Sequence, residues 1–421
     1  MKSVCIVLHN HYDGDIRVRR KAEALISAGY SVDVLALREP QTPRTYTLGG
    51  VQVRAISLGK KRGSLARYAY EYLAFFLWAL FRVTLQMWRR RYVLVDVNNL
   101  PDFLVFSAVF AQWMGAKVIL DMHEITPEFY MSKYRIEESS IWVRLLKVQE
   151  RLSLGIANKV ININEPIEDL LVGRGLPRAK STIIMNSADE SRFAAVPASP
   201  SGADLGVSDD AFVFMYHGTL TGLYGLDIAV RAFAIAHAEM PGAELWILGS
   251  GPDKPLLQEL AQQSGVANKV RLTGQVPSSE IPSWLRRCDV GVLPLRSDVF
   301  LEFASPNKLP EFIVSGTPVI VSRLGAIRHY FSEDALAFCE PNNPADLARQ
   351  MVRVFHDSSL RRELVARAKK EYAPIRWEVM KDRYLRMIEA TVGPAELNAE
   401  PRVHGPSRRR NAVTQRQIRN A

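Results

Sequence analysis

The sequence predicts two consecutive doubly wound α/β domains facing each other across a cleft. Three observations predict it: a length of 421 residues, short Val- and Ile-rich runs alternating with longer helical patterns, and one break in that alternation near the middle. A chain this long exceeds one ordinary core and suits two domains of roughly 150 to 200 residues each. Apolar strands that alternate with helices require parallel sheets covered on both faces.

Taken in order, the first half offers "SVCIVLH", "SVDVLAL", "VQVRAIS", "YVLVDV", "AKVILDM", "NKVININ" and "STIIMN" as strands. Helical segments separate most of them, such as "RVRRKAEALISAG", which Gly29 closes. The second half repeats the scheme with "FVFMYHG", "AELWILG", "KVRLTG", "DVGVLPL", "TPVIVS" and "ALAFCE". Between the halves, "AAVPASPSGADLGVSDD" is rich in Pro, Ser, Gly and Asp and reads as a linker. The predicted division is an N-terminal domain over 1–193, a linker over 194–210 and a C-terminal domain over 211–375. Residues 376–395 read as a helix packing back toward the N-terminal domain, and 396–421 as a tail. Sites in such sheets lie beyond the C-terminal ends of the strands, so the cleft is the expected site.

Hydrophobic content of 48% with 23% charged residues fits a soluble globular enzyme. Cys5, Cys288 and Cys339 have no paired spacing, which argues against a disulfide framework or a zinc site. It fits a reducing, cytoplasmic compartment. "MKSVCIVLHNHYDGD" reads as a first buried strand, because a signal peptide needs a longer apolar region. The net charge of +10 is unevenly placed: the tail after Glu400 holds six arginines and no acid, leaving 48 basic against 44 acidic residues before it. Such a tail cannot bury a core and is expected to be disordered. A solvated end is its first reading and anionic lipid its second; nucleic acid is not expected as a partner.

The segment "RYAYEYLAFFLWALFRVTLQMWRRRY", Arg67 to Tyr92, stands apart. Its uncharged run from Tyr72 to Phe81 is too short to span a bilayer. The aromatic residues, Trp78 and Trp88 among them, and the closing Arg89–Arg90–Arg91 suit a helix lying on a membrane surface. A crossover helix buried against the sheet is the other reading, and the two are compatible if only one face is buried.

The chemistry concentrates in "LEFASPNKLPEFIVSGTPVIVS", Leu301 to Ser322. Pro310 lacks an amide hydrogen and belongs in a first turn, which places a helix start near Ser305 to Asn307, either of which suits a cap. Free amides there attract a phosphate, and Lys308 adds a full positive charge. Glu311, three residues on, shares the face and can accept from the two hydroxyls of a ribose. A nucleoside diphosphate satisfies both features; a capped surface helix with a local Lys–Glu pair is the plainer reading.

"SPNKLPEFIVSGTPVIVS" resembles the donor-binding segment of the GT-B retaining glycosyltransferases of glycosyltransferase family 4, where "PxKxxE…GxPV" recurs. "DIRVRRKAEALISAGYSVDVLAL", "VILDMHE", "IIMNSADESRF", "FMYHGTLTGLYGLDIAVRAF" and "LWILGSGPDKPLL" resemble further segments of that family, in the right order. The resemblance implies the GT-B fold, two Rossmann-like domains across a cleft, with the nucleotide sugar on the C-terminal domain and the acceptor on the N-terminal one. It implies that Gly14 lets backbone amides approach a substrate and that His123 lies near the transferred sugar. Gly218 and Thr219 would contact the diphosphate, with Ser305, Asn307 and Leu309 in the donor segment. Lys308 would meet the leaving diphosphate and Glu311 hold the ribose, which leaves His123 and Lys308 as the expected catalytic pair.

Two departures from the family pattern matter. The partner glutamate of Glu311 would fall at Phe303, so either the adjacent Glu302 reaches in or backbone amides of Phe303 to Ser305 contact the sugar. The family's "GRxxxxKG" loop is here "GTLTGLYG", with Thr219 and Tyr224 in place of the cations. Arg296 or Arg323 are the candidate substitutes, and diminished activity is an expectation. The reaction so implied is a metal-independent glycosyl transfer with retention, in which the leaving phosphate takes the acceptor's proton. The acceptor is expected to be a lipid-linked saccharide in polysaccharide or glycoconjugate assembly, with the enzyme peripheral on the cytoplasmic membrane face. A sugar-nucleotide 2-epimerase of the same fold and a pseudo-glycosyltransferase acting as a partner protein are the alternatives.

Overall fold

The computed structural model describes residues 1–58, 65–194 and 210–395. The interior of the expected linker and the expected basic tail lie outside them.

Eight strands form the first sheet: β1 Ser3–His11, β2 Ser31–Leu37, β3 Thr45–Leu48, β4 Val51–Ile56, β5 Leu94–Asn98, β6 Lys117–Met122, β7 Lys159–Asn162 and β8 Ser181–Ile183. Six form the second: β9 Phe212–His217, β10 Ala243–Leu248, β11 Val270–Gly274, β12 Val290–Leu293, β13 Val319–Ser322 and β14 Ala337–Cys339. The helices of the first half are α1 Ile16–Ser27, α2 Leu65–Arg90, α3 Val109–Trp113, α4 Thr126–Tyr134, α5 Ile141–Ile156, α6 Glu165–Gly173 and α7 Ser191–Ala194. Those of the second are α8 Leu226–Ala236, α9 Lys254–Gln263, α10 Ile281–Arg286, α11 Lys308–Ser315, α12 Gly325–Tyr330, α13 Pro344–His356, α14 Ser358–Tyr372 and α15 Trp377–Val392.

The sheet orders are β3-β4-β2-β1-β5-β6-β7-β8 and β11-β10-β9-β12-β13-β14. Every pairing is parallel except β3 with β4. β3 is an element that the alternation of strands and helices does not announce. Its signal is Gly49–Gly50, which adopt φ of 58° and 81° and so form the two-residue connection that suits a hairpin. In each sheet the strand order reverses beside the first strand, at β1/β5 and at β9/β12, and side chains at the C-terminal ends of these strands converge on a crevice.

Helices cover both faces of the first sheet. α2, α3, α5 and α6 bury one face through Phe75, Ala79, Val83, Ala111, Leu154 and Leu171. α1 and α15 bury the other, the latter through Met380, Tyr384 and Ile388, so the final helix packs on the N-terminal sheet. α2 resolves the two readings of its sequence by face. Phe75, Ala79, Val83 and Met87 recur at helical spacing and are buried, whereas Leu73, Leu77, Phe81 and Trp88 face outward. Among the described residues no helix is long and apolar enough to cross a membrane.

The two halves meet through specific contacts. Asn164, which caps α6, donates from Nδ2 to the Phe303 carbonyl at 2.8 Å and to Ser305 Oγ at 2.9 Å. The Glu165 amide donates to Tyr330 Oη at 2.9 Å, and Phe129 meets Phe300 edge-on at 5.5 Å between ring centroids.

Candidate active site

On the C-terminal side, β9 ends at His217 and the chain turns through Gly218, whose φ of 129° favours glycine. That turn, the end of β10 at Leu248 to Ser250 and the loop Gln275 to Ser278 enclose a cavity of about 300 Å³. Glu311, on the first turn of α11, forms its remaining wall. His217 Nε2 stands 3.5 Å from Glu311 Oε2 and has no hydrogen-bond partner. Burial, assisted by the charge of Lys308, pushes the His217 imidazole down to about 3, so it is neutral near pH 7. Burial raises the Glu311 carboxyl, opposed by the charges of Arg192, Lys308 and Arg20.

Lys308 opens α11 and packs against the turn at Gly218: a Cβ there would collide with Lys308 Cε. Its ammonium lies 4.5 Å from the ring centre of Tyr224 and 5.2 Å from that of Tyr216. Tyr224, which stands where the resembled family has a lysine, thus holds the remaining cation through its π face. Desolvation lowers Lys308 to about 8, and Glu311 opposes the shift.

On the N-terminal side a cavity of about 350 Å³ opens at the C-terminal ends of β1, β5 and β6. Its wall includes Asn10, Asp15 and Arg17 before and within α1, Tyr68, Glu71 and Tyr72 of α2, and His123 with Glu124 after β6. His123 is fixed from several sides. Its amide donates to Asn99 Oδ1 at 2.8 Å, and its Nε2 lies 2.9 Å from Asn98 Oδ1 and 3.5 Å from Asp121 Oδ2. Asp121 is in turn paired with buried Lys21. Two acceptor oxygens around Nε2 put the hydrogen there, which leaves Nδ1, buried and without a partner, as a lone pair. Burial first, then Arg17 and Lys21, hold the imidazole well below its ordinary value and therefore neutral. Glu124 carries an unpartnered buried Oε2. Burial raises its carboxyl against the pull of Arg17 and Lys133. Burial first, and then the charge of Glu124, raise the hydroxyl of Tyr224, a residue of the opposite half.

The structure thus brings Gly218, Thr219 and Glu311 into one cavity with Lys308 beside it, and His123 into the other. Gly14 lies in the turn between β1 and α1, where a Cβ would meet no atom within 4 Å. Other expected donor residues point elsewhere. Glu302 does not reach in: its Oε2 accepts from the Gly325 amide at 2.8 Å, at the start of α12, while neighbouring Phe303 packs against the N-terminal core. Ser305 is engaged by Asn164, and with Leu309 it lines the seam between the halves, against Tyr330. Asn307 occupies the cap position of α11 without a side-chain capping bond. Neither substitute cation takes the place of the missing pair. Arg296 grips Asp227 through two 2.7 Å contacts and the Gly222 carbonyl at 2.8 Å, and Arg323 pairs with Glu333 and Glu340.

Sequence reasoning passed over His217, Glu124, Asn98 and the loop Gln275 to Ser278. The first two carried a signal, since each is a polar residue just at or beyond an apolar strand end. The loop carried none, because its role comes from a fold that sets it opposite Glu311.

Comparison with known proteins agrees with this geometry. Residues 211–357 match the family model described as glycosyl transferases group 1, and residues 15–187 match the glycosyl transferase 4-like domain. A D-inositol 3-phosphate glycosyltransferase of Thermomonospora curvata is 25% identical over 257 residues, 57% of this chain and 58% of that protein. The chain spans about half the length of several of the curated relatives it matches. The fold is similar to that of sucrose-phosphate synthase from Thermosynechococcus elongatus, with a TM-score of 0.73, 19% identity and coverage of 93% of this chain and 99% of that one. It is also similar to Anabaena HepE, solved in complex with UDP and glucose, with a TM-score of 0.68, 14% identity and coverage of 93% and 100%. Two domain models in sequence and a GT-B architecture converge: the chain belongs to the group 1 glycosyltransferases of the family 4 type.

Proposed function

We propose that the protein transfers a hexosyl group, with retention, from a nucleotide-diphosphate sugar to a lipid-linked saccharide at the cytoplasmic face of a membrane. The observation that carries the donor half is the pairing of Glu311 with the unpartnered His217 Nε2 in one cavity beside Gly218 and Lys308. In this reading a ribose diol donates to the Glu311 carboxylate from the cavity, beside the His217 imidazole, the base extends toward Gln275 and Val276, and the diphosphate reaches back to the Gly218 turn and the start of α11. Anabaena HepE, similar in fold, was crystallised with UDP, which makes UDP the first donor nucleotide to test.

Lys308 meets the charge that grows on the leaving diphosphate. His123 offers its Nδ1 lone pair to a hydroxyl of the transferred sugar, and Glu124 accepts from the acceptor hydroxyl. The proton of that hydroxyl passes to the departing phosphate oxygen on the same face. The reaction so proposed needs no metal ion. The lipid-linked acceptor is supported by α2, whose inner edge lends Tyr68, Glu71 and Tyr72 to the acceptor cavity while its outer face exposes Leu73, Leu77 and Phe81.

The engagement of Arg296 and Arg323 by carboxylates favours a second reading, a slow transferase or a pseudo-enzyme that binds donor without turning it over. Calorimetric titration of UDP into wild type and Glu311→Ala tests the donor site, and release of UDP from UDP-glucose tests turnover. Binding lost in the variant supports the reading; no binding to wild type overturns it. Binding without turnover leaves the second reading.

A further inference from the structure

We propose that the outer faces of α2, α3 and α5 form a single surface that docks on an anionic lipid bilayer. Of the 18 large apolar side chains exposed among the described residues, 14 lie on these helices or on the residue that follows α3. All three helices cover the same face of the eight-stranded sheet, so their outer sides look the same way. α2 contributes Leu77, Phe81 and Trp88, which is 75% exposed. α3 contributes Phe110 and Trp113, also 75% exposed, and α5 contributes Trp142, Leu145 and Leu152. Apolar exposure on this scale marks an interaction surface.

The charges select the occupant. The acids of these helices are Glu71 and Glu150; both are buried and paired, with Arg67 and Arg174 respectively. Arg89, Arg144 and Arg151 are exposed on the same helices and form no ion pair among the described residues. At the edge of the surface a cavity of about 630 Å³ is lined by Trp88, Arg91, Met114 and Lys117, and neither of its cations has an ionic partner among the described residues. Such a cavity suits the phosphate of a lipid headgroup. A second copy of this chain would bring like charges together, whereas an anionic bilayer supplies both counter-charge and an apolar interior. Tryptophan, leucine and arginine interleaved on one helix face suit the interfacial zone.

Docking in this pose also orients the enzyme. α2, of 26 residues and hence roughly 39 Å long, runs from the acceptor cavity at Tyr68 and Tyr72 to the basic cavity at Trp88. The inference extends the acceptor half of the proposed function. Its test needs no nucleotide, so either can fail while the other stands.

The test is co-sedimentation of the full chain with vesicles of phosphatidylcholine alone or with about one third phosphatidylglycerol, electrostatic attraction adding to apolar burial in the latter. Wild type is expected to pellet with the anionic vesicles and to remain largely soluble with the neutral ones. Trp113→Ser combined with Trp142→Ser, neither of which lines a substrate cavity, should lower the partition coefficient about tenfold or more with the melting temperature unchanged. Arg89→Glu with Arg91→Glu should abolish the preference for anionic vesicles. The proposal is overturned if wild type stays in solution, or if the tryptophan variant pellets as wild type does, as it would were the basic C-terminal tail the anchor. Dimers in sedimentation velocity that the tryptophan variant loses, without vesicle binding, would make the surface an interface between copies and overturn it equally.

Discussion

The imidazole of His217 faces the carboxylate of Glu311 at 3.5 Å, longer than a good hydrogen bond, with Nε2 unpartnered. His217 Nε2 and the Glu311 carboxylate thus each remain available to a ribose hydroxyl from the cavity side. Glu311→Ala should therefore weaken UDP binding by about 2 kcal/mol, roughly thirtyfold. Glu311→Gln should keep part of it, since an amide oxygen still accepts. Calorimetry at pH 7 measures both, and an Ala variant that binds UDP as wild type does would remove Glu311 from the donor site.

Lys308 carries a pH signature. Desolvation holds its ammonium near 8 in the free protein, and an anionic diphosphate beside it raises that value. UDP binding between pH 8 and 9.5 should thus take up as much as one proton per site, and near pH 7 none from this group. Affinity should be flat to about pH 8 and then fall. Titrations in two buffers of different ionisation enthalpy read the proton count; no uptake at pH 9 would place the diphosphate away from Lys308. The stability term has the opposite trend. The unfolded chain holds this proton up to its ordinary 10.5, so the folded state's penalty is complete below pH 8 and fades from 8 to 10.5. Lys308→Met should accordingly raise the melting temperature at pH 7 by roughly 2 °C or more while lowering UDP affinity.

Gly218 and Gly14 should behave differently. A methyl group at Gly218 strikes Lys308, and φ of 129° is strained for any other residue, whereas Gly14 has open space. Gly218→Ala should lower UDP affinity about as much as Lys308→Met, and Gly14→Ala should stay within about twofold of wild type. A Gly218→Ala protein with unaltered UDP binding would show that the turn does not hold the diphosphate.

How much of this was legible in the sequence depends on range. The i+3 placement of Lys308 and Glu311 is local, and the strands either side of them carry their own apolar signature, so the donor segment could be read directly. Glu302 could not. Whether a carboxylate two residues before Ala304 points at a sugar or at the Gly325 amide depends on a tight turn over Leu301–Phe303 and on Phe303 finding an apolar surface in the other half. Ser305 is claimed by Asn164, 141 residues away in the chain. The exposed apolar surface was legible only in part for the same reason. The aromatic run in α2 is visible as text, but the outward stripe of α5 emerges only once Val143, Glu150 and Leu154 are seen to take the inward side.

His123 yields the sharpest kinetic expectation. With hydrogen fixed on Nε2 by Asn98 and Asp121, its free Nδ1 can only accept, and under the proposed function its donor is a hydroxyl of the substrate. His123→Ala should lower kcat by about ten- to a hundredfold with UDP affinity unchanged, because UDP itself lacks the sugar that the imidazole touches. Burial, with Arg17 and Lys21 nearby, keeps the ring neutral, so no histidine titration should appear in kcat between pH 5.5 and 7.5. An acid limb near pH 6.5 that vanishes in His123→Ala would mean the ring is a proton donor or acceptor instead. Asn98→Leu separates positioning from contact. It frees the tautomer without touching substrate, so kcat should fall while KM for the donor holds, and a fall in both would make Asn98 part of the binding surface.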